Sequence, residues 1–209
     1  MTGRSKPGRP HVFLPAQGDP NGPSLLLLHG TGGDEHDLLP LRDHLSPGAA
    51  VVSVRGTVLE NGMPRFFRRL REGVFDEDDL RDQADALADF ITEAGAFYGI
   101  EAGSLVAVGF SNGANIASAV LLRRPEVLAG AVLLAAMIPY AEPPAVDLAG
   151  KRVIIANGER DGMIPASMTE QLAGQFRDRG AQVTVMAHPG GHQIDPAMLP
   201  RISQLIGQT

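Results

Sequence analysis

The chain has 209 residues, 44% hydrophobic and 20% charged, with 18 Lys+Arg against 24 Asp+Glu and a net charge of −6. That is enough chain for one domain with a sizeable core, and the acidic balance argues against nucleic acid as a partner. With no cysteine, disulfides, thiolate metal sites and a thiol nucleophile are excluded.

Residues 1–10 are polar and rich in Gly, Pro and Arg, which predicts a loose, flexible tail before a single domain over 11–209. No apolar stretch follows these basic residues, and the longest apolar runs, 25–28 and 129–137, are too short to cross a bilayer. The expectation is a cytoplasmic protein without membrane insertion. Basic residues gather at 4–9 and 65–71, without the aromatic interleaving of a nucleic-acid surface.

From residue 24 onward short apolar runs alternate with helical patterns. The runs at 24–29, 49–54, 105–110, 129–136, 152–156 and 182–187 lack polar alternation, as strands covered on both faces do. Between them, 76–98 carries Leu80, Ala84, Leu87, Phe90 and Ile91 at helical spacing. The segments 112–123, 168–177 and 196–206 also read as helices. This alternation predicts an α/β fold: a mostly parallel central sheet with helices on both faces. The Pro-rich stretch 139–148 is a surface loop by composition, so no large cap domain is expected.

Gly109-Phe110-Ser111-Asn112-Gly113 matches G-x-S-x-G. It lies between an apolar strand and a helix, the context of a nucleophile elbow. Glycines there let strand and helix approach closely, and the turn lifts a serine hydroxyl to the carboxyl edge of the sheet. Ser111 is therefore the candidate nucleophile. The bland alternative is a strand-to-helix turn with a serine cap.

Such a serine needs N–H donors for a developing oxyanion. One comes from the following residue, Asn112, of which only the N–H is required. The other comes from the glycine-flanked loop His29-Gly30-Thr31-Gly32-Gly33 after the first Leu-rich strand, with Thr31 the candidate. No P-loop Lys follows, so a phosphate cradle is set aside. Asp34-Glu35-His36-Asp37 is read as capping the next helix rather than holding a metal, and His29 as bracing the loop.

After an elbow of this type the acid and then the histidine follow in chain order. Glu159 and Asp161 lie just past the strand 152–156. Asp161 is the choice, with Glu159 the alternative. Of the two later histidines, His188 reads as a strand end, whereas His192 sits in the loop Pro189-Gly190-Gly191-His192 and is chosen as the base.

These segments resemble the phospholipase/carboxylesterase family of α/β hydrolases, which includes acyl-protein thioesterases and small bacterial carboxylesterases. The likeness runs from about Ser24 to His192. Its carriers are residues 27–35, 109–115, 158–161 and 188–192, and Glu60-Asn61-Gly62-Met63-Pro64-Arg65-Phe66-Phe67-Arg68-Arg69 is similar to a bacterial carboxylesterase subgroup. The resemblance implies an α/β-hydrolase fold, a triad at Ser111, Asp161 and His192, an oxyanion hole at Thr31 and Asn112, and no metal or cofactor. Where the family often has a proline after the acid, this chain has Gly162-Met163.

The expected activity is serine-dependent hydrolysis of carboxylic esters through an acyl-enzyme, on short to medium acyl chains of a small-molecule substrate. A thioesterase with the same residues and a non-catalytic binding scaffold are the alternatives, and a homodimer is left open. Phe66, Phe67, Met137, Ile138 and Met163 are candidates for the acyl pocket or else core. Arg65, Arg68 and Arg69 face either an anionic substrate group or surface ion-pair partners.

Overall fold

The computed structural model describes residues 6–17, 22–101 and 103–207. In chain order the elements are β1 (His11–Leu14), β2 (Ser24–Leu28), α1 (Leu41–Leu45), β3 (Val51–Val54), a hairpin of β4 (Val58–Glu60) and β5 (Met63–Arg65), and a second of β6 (Arg69–Arg71) and β7 (Val74–Phe75). Then come α2 (Glu77–Tyr98), β8 (Leu105–Phe110), α3 (Asn112–Arg123), β9 (Gly130–Leu134), β10 (Arg152–Gly158), α4 (Ala166–Arg177), β11 (Gln182–His188) and α5 (Leu199–Ile206).

The six apolar runs join β1 in one seven-stranded sheet, in the order β1-β3-β2-β8-β9-β10-β11. All pairings are parallel except β1 with β3. Successive side chains of a strand point to opposite faces, and both faces here are covered. Leu26 and Leu28 pack with Leu80, Leu87, Ile116 and Leu172 of α2, α3 and α4. Leu25 and Leu27 pack with Leu41 and Leu45 of α1 and Ile202 and Ile206 of α5. That two-sided burial is why these strands read as unbroken apolar runs.

The expected fold class is therefore the fold observed, with helices on both faces of a mostly parallel sheet. Helix α2 starts where its sequence says it should. Asp76 accepts from Asp79 N–H at 3.1 Å, satisfying an amide that the helix cannot. It ends on Gly99 at φ 74°, a left-handed stop that glycine adopts without strain.

Two parts of the fold were not anticipated: edge strand β1 and the two hairpins. The acidic run 34–37 does not cap α1, whose N-cap is Pro40 without a side-chain bond. Asp34 Oδ1 instead accepts from His36 N–H at 2.7 Å, and Glu35 pairs with Arg55. Of the expected tail, residues 1–5 lie outside the described residues. Pro10 C=O, just before β1, accepts from Arg55 N–H at 2.9 Å.

The chain order reverses between β2 and β8. From β2 the chain steps out to β3, and β8 then lands on the other side of β2. Loops leaving the carboxyl ends of two such strands diverge and open a crevice between them. The glycine loop follows β2 and the serine turn follows β8, so the topology sets the two against one another.

Candidate active site

The turn at Ser111 has φ 51° and ψ −112°, a region that costs a non-glycine residue on the order of 1–3 kcal/mol. It is held there by its own backbone: Ser111 N–H donates to Leu134 C=O at 2.8 Å, and its C=O accepts from Asn115 N–H at 3.0 Å. The flanking glycines are obligatory. A Cβ on Gly113 would lie 1.9 Å from the carbonyl oxygen of Leu28, and one on Gly109 would lie 2.3 Å from that of Gly113.

His192 Nε2 lies 2.8 Å from Ser111 Oγ, and His192 Nδ1 lies 2.7 Å from Asp161 Oδ2. The structure thus brings all three residues into one hydrogen-bonded chain. Asp161 has a fully buried side chain, and its Oδ1 accepts from Met163 N–H at 2.9 Å. The imidazole packs against Phe110 with ring centroids 5.4 Å apart.

The loops carrying acid and base are tied together. Glu159 N–H donates to His188 C=O at 2.8 Å and Arg160 N–H to Gly190 C=O at 3.0 Å. A Cβ on Gly158 would meet Gly191 oxygen at 2.2 Å, so glycine lets these loops touch. The alternatives point elsewhere: Glu159 is exposed, while buried His188 accepts from Gly190 N–H through Nδ1 at 3.2 Å.

Thr31 and Asn112 line the same cleft as Ser111 and His192. Their backbone N–H groups have no acceptor among the described residues. That is the requirement for a pair of donors awaiting a developing negative charge. Asn112 also does more than present its amide, because its Oδ1 accepts from Phe66 N–H at 2.7 Å.

His29 braces the loop from beneath. Its Nε2 accepts from Gly56 N–H at 3.0 Å, so Nδ1 carries the proton and donates to Gly30 C=O at 2.6 Å. Burial pulls its pKa below the ordinary value, against the Gly30 hydrogen bond and the charges of Asp37, Asp34 and Glu35.

The cleft has a volume of about 280 Å³. Met137 and Met163 line it. Phe66 and Phe67 do not, and the expectation for them is corrected. Both are 0% exposed in the core, Phe66 against His29 and Phe67 edge-on to Phe75. Both lie in the link between the two hairpins, β5 to β6. Ile138 likewise packs against the core. The aromatic lining comes instead from Phe75 and Phe110. Phe110 was legible as the middle residue of the Gly109–Ser111 motif, whereas nothing local marks Phe75.

The arginine run divides. Arg68 is exposed and pairs with Asp76 at 3.2 Å and Asp79 at 3.6 Å. Arg69 lies 2.8 Å from Glu60 and lines the cleft. Hydrogen bonds from Arg69 hold the Glu60 carboxyl below the usual carboxylate range, and Arg65 contributes. Arg65 is only 3% exposed, yet it also lines the cleft. Its Nη1 donates to Thr31 Oγ1 at 2.6 Å and its Nε to Phe67 C=O at 3.2 Å, with Glu60 Oε2 also at 3.2 Å. Burial lowers its pKa below the ordinary guanidinium value, and the neighbouring charge of Arg69 adds to this, but a guanidinium remains charged.

Known proteins resemble this chain over most of its length. The Bacillus subtilis (strain 168) protein named "Putative hydrolase MhqD" is 49% identical over 170 residues, spanning 81% of this chain and 85% of the relative. The crystal structure of a Bacillus cereus carboxylesterase matches with TM-score 0.93 at 43% identity, covering 96% of this chain and 94% of that one. A carboxylesterase from Mesorhizobium loti matches with TM-score 0.89 at 30% identity, covering 96% and 95%. The family model described as serine hydrolase (FSH1) matches residues 60–204. The chain belongs to the serine hydrolase (FSH1) family and is an esterase enzyme on the fold of the bacterial carboxylesterases.

Proposed function

We infer that the protein cleaves carboxylic esters through an acyl-enzyme formed on Ser111. The supporting observation is the unbroken chain Ser111–His192–Asp161, at 2.8 and 2.7 Å, beside two backbone N–H groups without acceptors among the described residues.

In this reading His192 Nε2 takes the Ser111 hydroxyl proton as Oγ bonds to the ester carbonyl carbon. The carbonyl oxygen takes up the negative charge and receives the N–H groups of Thr31 and Asn112. Collapse breaks the bond to the alcohol oxygen, which leaves with the proton held by His192. Water then repeats the sequence on the acyl-enzyme and releases the acid. Asp161 accepts from His192 Nδ1 throughout, which fixes the tautomer and stabilises the imidazolium. No cofactor enters any step.

The cleft favours a small substrate. Its volume is about 280 Å³, at the lower end of small-molecule sites, and Met137, Met163, Phe75 and Phe110 offer apolar contact. Short to medium acyl chains follow. Rates across p-nitrophenyl esters of increasing chain length test this, each compared with a matched thioester. The expected profile peaks at short to medium chains with esters turned over faster. A peak at long chains would overturn the size argument, and faster thioester cleavage would make the protein a thioesterase.

A further inference from the structure

Pro64, Arg65 and Phe66 are consecutive, and each holds a different part of the oxyanion site. Pro64 C=O accepts from Gly32 N–H at 2.9 Å. Arg65 Nη1 donates to Thr31 Oγ1 at 2.6 Å. Phe66 N–H donates to Asn112 Oδ1 at 2.7 Å. The first two bonds grip the loop after β2, and the third grips the first residue of α3. One strap of three residues therefore ties together the two backbone amides that would receive the oxyanion.

The loop after β2 needs such a restraint. Gly30, Gly32 and Gly33 surround Thr31, Gly32 is at φ 83°, and glycine-rich backbone has more conformational freedom than any other. Thr31 is exposed, so core packing does not fix it. Arg65 is itself restrained, with Nε against Phe67 C=O and Glu60, and Glu60 is held in turn by Arg69. The approach is close from beneath as well, since a Cβ on Gly56 would lie 2.3 Å from the Arg65 carbonyl.

We propose that Arg65 is a positioning residue for catalysis: through Thr31 Oγ1 it fixes the direction of the Thr31 N–H, with the flanking Pro64 and Phe66 backbone locking the rest of the oxyanion hole. This rests on the ester-hydrolase reading above. Oxyanion donors act on charge that develops in the transition state, so their misalignment lowers kcat rather than weakening substrate binding. Complete loss of one donor costs about 10²–10³ in rate, and misalignment costs part of that.

The test is steady-state hydrolysis of p-nitrophenyl butyrate by the full chain, with active sites titrated, for wild type, Arg65→Met, Thr31→Val and the double variant. Thr31→Val removes the acceptor hydroxyl while keeping the amide and the β-branched shape, and it leaves Arg65 and its hairpin intact should Arg65→Met fail to fold. Each single change is expected to lower kcat by roughly 10- to 100-fold with KM within about threefold. The double variant is expected to fall within about threefold of the worse single variant, because both changes break one bond. Unchanged kcat in folded Thr31→Val, multiplicative losses, or a loss confined to KM would overturn the assignment. An active wild type with unperturbed variants sinks the strap alone, whereas a wild type that neither turns over esters nor reacts with a fluorophosphonate sinks the hydrolase reading with it.

Discussion

Asp161 and His192 meet through Oδ2 and Nδ1 at 2.7 Å, and the other oxygen of Asp161 is taken by the Met163 N–H at 2.9 Å. The buried carboxylate is thus oriented from both sides. Asp161→Asn keeps the size of the side chain but removes the charge and can offer an amide N–H where His192 needs an acceptor. The wrong tautomer would then face Ser111. Ester turnover by D161N is expected to fall by about 10³–10⁴ in kcat with secondary structure unchanged. A loss under about tenfold would mean that Asp161 does not orient the base.

The corrected placement of the phenylalanines separates stability from binding. Phe66→Ala empties a fully buried site and is expected to lower stability by about 3–5 kcal/mol, read by urea denaturation. Met163, 39% exposed at the cleft, is expected to behave the other way. Met163→Ala should leave the unfolding free energy within about 0.5 kcal/mol of wild type and shift KM for longer acyl esters. Equal stability losses in both variants would contradict this division.

What the sequence could reveal follows from how local each signal is. Residues 105–123 were legible because strand, turn and helix are contiguous, and because the contacts at Gly109 and Gly113 exclude side chains and so leave a mark in the sequence. His192 was legible through the glycines that let its loop reach Gly158. The hairpins were not legible. Strands β4 to β7 have two or three residues each, too few to display a period. Their placement depends on contacts far along the chain, such as Arg65 with Thr31 and Phe66 with Asn112. Phe66 and Phe67 were misplaced for the same reason, since only the folded hairpins bury them. β1 escaped notice because its residues are half-buried at a sheet edge, without the apolar run of the inner strands.

Acid should weaken the bracing beneath the oxyanion loop. His29 accepts from Gly56 N–H through Nε2, and protonation abolishes that acceptor. Its folded pKa lies below the ordinary 6.5, with burial as the main cause. The unfolded chain therefore binds the proton first on acidification. The stabilisation is complete above the unfolded value and is lost as pH falls through the folded one. His29→Asn, which leaves the Gly56 N–H without this partner, is expected to cost about 1–3 kcal/mol near neutral pH. That difference should narrow as thermal melts are moved from about pH 7.5 to about pH 5. A gap that stays constant across this range would contradict the assignment to His29.

The most direct test of the central claim is covalent labelling of Ser111. A fluorophosphonate reacts with a serine activated as a nucleophile and leaves ordinary serines alone. Intact-mass and peptide-mapping measurements on the wild-type chain are expected to give one adduct, on Ser111, and none on a folded Ser111→Ala variant. An unlabelled wild type, or equal labelling of the variant, would contradict the account.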